Sequence, residues 1–499
     1  MYLLGYDLGS SSAKASILDA RTGRCLASSF FPDAEMEIIA VRPGWAEQHP
    51  SLWWAALAGA TRRVLQSSGV RPEGIGAIGI SYQMHGLVVV DRAGEPLRPA
   101  IIWCDSRAVE IGRRALLDLG ADLCLSRLLN SPGNFTASRL KWVKENEPEV
   151  YSQIWKIMLP GDYIALRMTG EARTTVCGLS EGIFWDFGGN RVSAALLDYF
   201  GFDISLIPEV VPVFSVQGKL RRQAAEELGL LPGIPVAYRA GDQPNNAFSL
   251  NVLDPGEFAA TAGTSGVVYG VTAEAARDPE GRVNTFAHVN HGPDAPRLGV
   301  LLCINGAGIL YSWIRRNMFG GADYATVNEL AAGVPAGSQG LRILPFGNGA
   351  ERMLGNRDVG CAVAGLNFNV HDRAHLARAA QEAVAFAFRY GIGVMDSMGM
   401  RPAVLRAGHT NMFLSALFRE TLADLTGARI ELFDTDGSRG AARAAGLGAG
   451  IYRSPAEAFA GLERILSVDP DHPRASATQA AYQEWCRFLD RRLQAETRQ

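Results

Sequence analysis

Tyr2-Leu-Leu-Gly-Tyr-Asp7-Leu-Gly9-Ser10-Ser11-Ser12-Ala13-Lys14-Ala-Ser-Ile-Leu18 is the stretch from which the rest of the chain is read. Its two apolar runs, Tyr2–Asp7 and Ala13–Leu18, are strand-length and flank a Gly/Ser turn. Asp19-Ala-Arg-Thr-Gly23 makes a second turn before a third run, Cys25–Phe31. Pro50–Gln66 then has helical spacing, with Trp53, Trp54, Leu57 and Val64 on one side. Strands at Ile75–Ser81 and Leu87–Asp91 follow. Three hairpin-like strands, then alternating helix and strand, predict an α/β fold with a mixed sheet and helices on its faces.

The opening motif has an echo. Ala262-Gly263-Thr264-Ser265-Gly266 lies between the strand-like runs Glu257–Thr261 and Val267–Val271, and Gly263 stands 254 residues after Gly9, about half the 499-residue chain. Two related halves, each opening strand–turn–strand, account for this economically, although a Gly-rich chain can also match two such turns by chance. Downstream the pattern predicts a helix at 375–397, a strand at 403–406, a helix at 413–426, a strand at 429–433 and a Gly/Ala-rich helix at 440–452. An Arg/Glu-rich helical run carrying Trp485 and Leu489 closes the sequence, with no evident chemical role.

Composition narrows the function classes. Lys and Arg total 48 against 51 Asp and Glu, a net charge of −3, so no basic stripe exists for nucleic acid or an anionic membrane. Hydrophobic residues at 47% and charged residues at 20% describe a globular protein. The seven cysteines are scattered singly, which reads as reduced thiols in a cytoplasm and excludes a C-x-x-C zinc or redox site. An early Asp7 and the lack of a basic start argue against a signal peptide, and no run is long enough to span a membrane. Gly is the outlier: 55 residues, or 11%, against a typical share of about 7%. The surplus implies tight turns or backbone brought close to a ligand.

Several familiar motifs are absent or misplaced. The Gly218-Lys219 pair is followed by Leu220, so no P-loop exists. Gly74-Ile-Gly76-Ala-Ile-Gly79 spells a dinucleotide fingerprint but falls inside a strand-like run, where that fingerprint cannot work. His371-Asp-Arg-Ala-His375 lacks the Glu and third ligand of a zinc site and suits a solvated helix start.

Four constellations remain. The hydroxyls and backbone N–H groups of Ser10, Ser11, Ser12, Thr264 and Ser265 can grip a polyphosphate from two sides, with Asp7 placed to hold Mg²⁺ or its waters. Gly241-Asp242-Gln243-Pro244 ends the apolar run Ile234–Tyr238, at a strand C-terminus, where α/β sheets place their sites; the same residues also suit an Asx turn. Gln83-Met84-His85-Gly86 and Trp103-Cys104-Asp105-Ser106-Arg107 gather an amide, an imidazole, a carboxylate and a guanidinium, a set suited to a polyol, or equally to a core His85 and an Asp105–Arg107 pair.

Taken together these residues resemble the FGGY family of carbohydrate kinases, and within it the xylulokinases, from Tyr2 to about residue 452. Gly44-Trp-Ala-Glu-Gln48 and Leu159-Pro-Gly-Asp-Tyr163 add to the match. The resemblance implies two ribonuclease-H-like (actin/hexokinase-type) domains, 1–254 for sugar and 255–452 for nucleotide, with the active site in the cleft between them and a helical tail at 453–499. It implies ATP and Mg²⁺ as cofactors and Asp242 as the base on a sugar hydroxyl, with Asp7 as catalytic metal ligand. Gln83, Met84, His85, Asp105 and Gln243 would contact the sugar. Ser10, Ser11, Ser12, Lys14, Gly263, Thr264, Ser265, Gly306, Gly408 and Asn411 would hold the nucleotide. A cytoplasmic homodimer phosphorylating D-xylulose is the expectation. A kinase for another sugar or polyol (ribulose, gluconate, glycerol) and a non-catalytic ATP/sugar sensor are the rivals.

Overall fold

The computed structural model describes residues 1–275 and 277–496. The opening stretch forms β1 (Tyr2–Leu8) and β2 (Ala13–Asp19), which pair antiparallel, and β3 (Cys25–Phe31) continues the meander. After α1 (Pro50–Ser68) the chain returns as β4 (Ile75–Tyr82), parallel to β1. Helix α2 (Val176–Glu181) belongs to the long insertion that follows. The sheet then gains β5 (Gly218–Lys219) and β6 (Pro235–Gly241), giving the order β5-β6-β4-β1-β2-β3. Helix α3 (Asp242–Ser249) leaves the end of β6.

The second half repeats the plan. β7 (Glu257–Ala262), β8 (Gly266–Thr272) and β10 (Leu298–Ile304) form the meander, with β9 (Asn284–Ala287) added at its outer edge. Helices α4 (Gly308–Met318) and α5 (Arg373–Ser397) lead to β11 (Val404–Gly408) and β12 (Arg429–Phe433), both parallel to β7. Helix α6 (Gly437–Gly448) corresponds to α3. The order is β9-β10-β8-β7-β11-β12-β13, where β13 is Arg464–Val468 and precedes α7 (His472–Glu496). Reading each sheet from its third meander strand, β3-β2-β1-β4-β6-β5 maps onto β10-β8-β7-β11-β12-β13, with matching parallel and antiparallel pairs. The half-chain echo of two Gly/Ser turns therefore marks a duplicated architecture, the expected pair of ribonuclease-H-like domains.

Alternation along β1 explains how the site is placed. Leu4, Tyr6 and Leu8 pack with α1 residues Trp53, Leu57 and Val64 in one core. Leu3 instead joins the core that holds Ala441, Ala442 and Ala445 of α6. Period-2 alternation puts Gly5 and Asp7 on that same second face. A Cβ at Gly5 would overlap the Ser438 carbonyl oxygen, and one at Gly79 that of Ala441. These glycines let a second-half helix lie directly on the first-half sheet. Helix α3 reciprocates by contacting β7 and β8, so the two halves interlock through α3 and α6.

The segment expected to be a separate helical tail is built into the second half. β13 pairs with β12, and Trp485 and Leu489 of α7 are buried in the second core. Gly76 and Gly79 lie within β4, as their failure to open a helix requires. Asp372 caps α5 and bonds His375, which disposes of the zinc motif. No helix among the described residues is long and apolar enough to cross a membrane.

Candidate active site

Asp7 sits at the C-terminal end of β1, opposite Ser81 of β4, whose hydroxyl donates to its Oδ1 at 2.7 Å. Its carboxylate lies against the start of α6, where a Cβ at Gly437 would overlap it. A helix N-terminus favours an anion there. Burial pushes the Asp7 carboxyl above the ordinary range, and Asp436 adds to this. Asp436 caps α6 and takes Lys14 Nζ at 2.7 Å. Lys14 thereby joins the first turn to the second half and is not free to reach a phosphate in this structure.

Asp242 opens α3 at the end of β6. Burial, then the charge of Asp7, pushes its carboxyl up to about 7. Gly241, just before it, adjoins Met84 and Glu181: a Cβ at 241 would overlap both. His85 follows Met84 in a left-handed conformation with φ of 63°. Glu181 O is 3.0 Å from His85 Nδ1. A carbonyl can only accept, so Nδ1 carries the proton and Nε2 presents a lone pair. Burial, then the Arg139 charge, lowers the His85 pKa to about 3, keeping the imidazole neutral. Contacts thus run in one line: His85 and Met84, the Gly241–Asp242 strand end, Asp7, and the start of α6.

The second turn completes the line. Thr264 and Ser265 are exposed between β7 and β8. Gly308 and Ile309 donate backbone N–H to the Gly263 and Thr264 carbonyls at 3.0 and 3.1 Å, seating the turn on α4. Asn411, left-handed at φ 53°, places Nδ2 beside Gly263. A cavity of about 510 Å³ opens here, lined in part by Gly263, Thr264, Tyr311, Arg316, Tyr324 and Asn411. Its size suits a nucleotide. In the first turn Ser11 is exposed and Ser10 and Ser12 are half-buried, with the backbone fixed by Gly9 N–H to Ser12 O at 3.0 Å.

Three of the expected site residues do other work. Asp105 was expected at the sugar, but it is fully buried, and both its oxygens are taken by Arg107 and the Ala46 N–H. Arg107 in turn lies over Trp45 at 3.9 Å, so the pair is a strut behind the wall. Gln83 is buried against Gln48, which bonds Ser10 O at 2.7 Å; it supports the first turn from beneath. Gly306 gives its N–H to Glu351, and a Cβ there would overlap Pro345 O, so its glycine serves close packing away from the cavity lining. Gly408 ends β11 and its backbone leads to Asn411. Gln243, next to Asp242, is half-buried, and its backbone and side chain bond the Asp242 carboxylate.

Sequence reasoning missed Tyr311, Arg316 and Tyr324, which line the cavity beside Gly263, and Glu181, which lies beneath His85. The first three are spread over two helices and only the fold assembles them. Glu181 sits in Cys177-Gly-Leu-Ser-Glu181, which carries no signal of its own.

No group of three or more His, Cys, Asp or Glu side chains fit to hold a metal occurs among the described residues. Mg²⁺ does not require one, since it keeps several waters and takes one or two carboxylates plus substrate phosphates. Asp7, with its carboxyl at the strand end and the charge of Asp242 beside it, fits that need.

Residues 2–249 and 258–449 match, respectively, the N-terminal and C-terminal domains of the FGGY family of carbohydrate kinases. The chain is 28% identical to a xylulose kinase of Escherichia coli (strain K12), covering 97% of this chain and 96% of that one. It is 30% identical to an L-xylulose/3-keto-L-gulonate kinase of the same strain, again covering 97% and 96%. The crystal structure of a xylulose kinase from Rhodospirillum rubrum superposes with a TM-score of 0.86 at 26% identity over 98% of each chain.

Proposed function

Because the chain belongs to the FGGY family of carbohydrate kinases, and so is a phosphotransferase with an alcohol group as acceptor, we propose that its acceptor is a ketopentose: D-xylulose, converted to D-xylulose 5-phosphate with Mg²⁺ and ATP. The observation that carries this reading is the position of Asp242, which opens α3 directly after β6, between the Met84–His85 wall and the end of β1 that holds Asp7.

Phosphoryl transfer depends on positioning and charge stabilisation far more than on covalent help. Asp242 accepts the proton of the sugar's primary hydroxyl as that oxygen attacks the γ-phosphorus. A carboxyl held near 7 by burial and Asp7 is a stronger base than an exposed one, which suits proton abstraction at neutral pH. His85 Nε2, an acceptor, takes a hydrogen bond from a sugar hydroxyl, while Met84 covers its carbon skeleton. The turns at 10–12 and 263–265 donate hydroxyl and backbone hydrogens to the phosphates. Asp7 and the phosphate oxygens would hold the divalent ion, which supplies charge neutralisation. Closure of the halves about α3 and α6 excludes water and limits wasteful ATP hydrolysis.

An ATP-consumption screen over ketoses, aldoses, polyols and sugar acids tests this. D-xylulose should give the highest kcat/KM. A preference for glycerol or gluconate overturns the ketopentose assignment, and absence of phosphate transfer to any sugar overturns catalysis. The 30% identical relative named for L-xylulose and 3-keto-L-gulonate makes the L-ketose the competing acceptor.

A further inference from the structure

His85 is held at φ 63°, a left-handed conformation that is unfavourable for a residue with a Cβ, so something must over-determine it. Thr136 Oγ1 donates to its carbonyl oxygen at 3.1 Å, and Arg139 Nη1 donates to the same atom. Phe135 meets the ring edge-on with centroids 4.8 Å apart, and Phe286 lies at 5.3 Å. These groups fix the carbonyl and the ring. The backbone N–H is fixed by Glu181, whose Oε1 accepts it at 3.3 Å.

Glu181 is fully buried at the end of α2. Its Oε2 lies directly against Gly241, where any side chain would overlap it, and the Tyr82 hydroxyl bonds the carboxyl. Burying a carboxyl group among other acidic side chains is costly even when it is hydrogen-bonded. Burial, with Asp242 and Asp162 nearby, holds the Glu181 carboxyl well above the ordinary range.

We propose that Glu181 is a positioning residue that couples the sugar-reading imidazole to the base: one carboxyl oxygen locks His85 into its left-handed conformation, and the other abuts the strand end that delivers Asp242. This rests on the reading that His85 and Asp242 meet the sugar. It makes Gly241 obligatory and gives the buried carboxyl a purpose that packing does not supply.

The test compares Glu181→Met, which keeps the volume but loses the acceptor, with Glu181→Gln, which keeps both. In the Met variant the sugar KM should rise at least tenfold while the ATP KM moves less than about twofold; Gln should rescue the sugar KM to within about threefold of the parent chain. A Met variant with an unchanged sugar KM, or with both KM values shifted alike, overturns the proposal. A second readout needs no substrate. With ¹⁵N-histidine in the full-length protein, the His85 backbone amide, which donates to Glu181 Oε1, should give a signature that is lost in Met and kept in Gln. If Met fails to fold, a Gln variant that loses the signature overturns the proposal. If the parent chain phosphorylates no sugar, the function reading fails while this signature still decides the role of Glu181.

Discussion

Asp242 is held where ionisation is unfavourable, and that has two measurable consequences with opposite signs. Its carboxyl rises from an ordinary 3.8 to about 7, first through burial and then through Asp7. The base works only when ionised, so kcat/KM for the sugar should fall tenfold per pH unit below about 7. A profile flat down to pH 5 would remove Asp242 from the role. For stability the direction reverses. Between pH 3.8 and 7 the folded state binds more protons at this site than the unfolded state, so stability is lost as pH rises through that window. Asp242→Asn should therefore cost about 10²–10⁴ in kcat and leave the ATP KM unchanged, yet raise Tm at pH 8 more than at pH 5. Equal Tm shifts at both pH values would refute the burial argument. The strand-end positions of Asp7 and Asp242 could be read from the apolar runs before them, while their roles came from the family resemblance, since Gly241-Asp242-Gln243-Pro244 also suits an Asx turn. Asp105 was misread because its use depends on Arg107 folding back and on Trp45 from sixty residues upstream stacking over it. His85 could be named, but its neighbour Glu181 lies nearly a hundred residues away and only the fold joins them.

Helix α6 shows what an element's composition can and cannot announce. Its Gly/Ala pattern was readable as close packing, and its predicted start of Gly440 missed the true first turn by three residues because Asp436, the cap, was not recognised as one. Which surface it packs on was not readable: a second-half helix covers β1, β4 and β6 of the first half. The glycines that face it are scattered through β1 and β4, so the pattern exists only across the sheet. Gly5→Ala should force α6 off the sheet, at a cost of about 1–3 kcal/mol, and should lower Tm measurably. Gly292→Ala, where an added Cβ meets nothing within 4 Å, is the control and should stay within about 0.5 kcal/mol. Because α6 also begins beside Asp7, the Gly5 variant should lose kcat as well. Unaltered kcat with lowered Tm would mean that the helix start and the site are not coupled.

At the scale of the whole molecule the duplication was legible from two turns, whereas the end of the second half was not. The run after residue 452 reads as a polar helix, since much of α7 is solvated and its inward stripe of Trp485, Leu489 and Leu493, flanked by Tyr482 and Cys486, is narrow. Strand β13 is short and flanked by Arg464 and Asp469, so nothing in its sequence marks it as a sheet edge. Yet Trp485 is 1% exposed and donates Nε1 to Ile343 O at 2.8 Å, and Arg474 at the head of α7 bonds the buried Asp424 at 2.6 Å. Burying a large aromatic with its polar handle satisfied is worth several kcal/mol, and Trp485→Ala should cost about 3–5 kcal/mol. That loss falls on the half that carries the nucleotide cavity. Calorimetry should show a lowered transition, and ATP should restore part of it, because a ligand that binds only the folded half stabilises by mass action. Removing residues 453–499 should go further and abolish ATP binding while the first-half sheet persists. A truncated chain that keeps the parent affinity for ATP would show that the terminal strand and helix are an appendage after all, and that the second half is complete at α6.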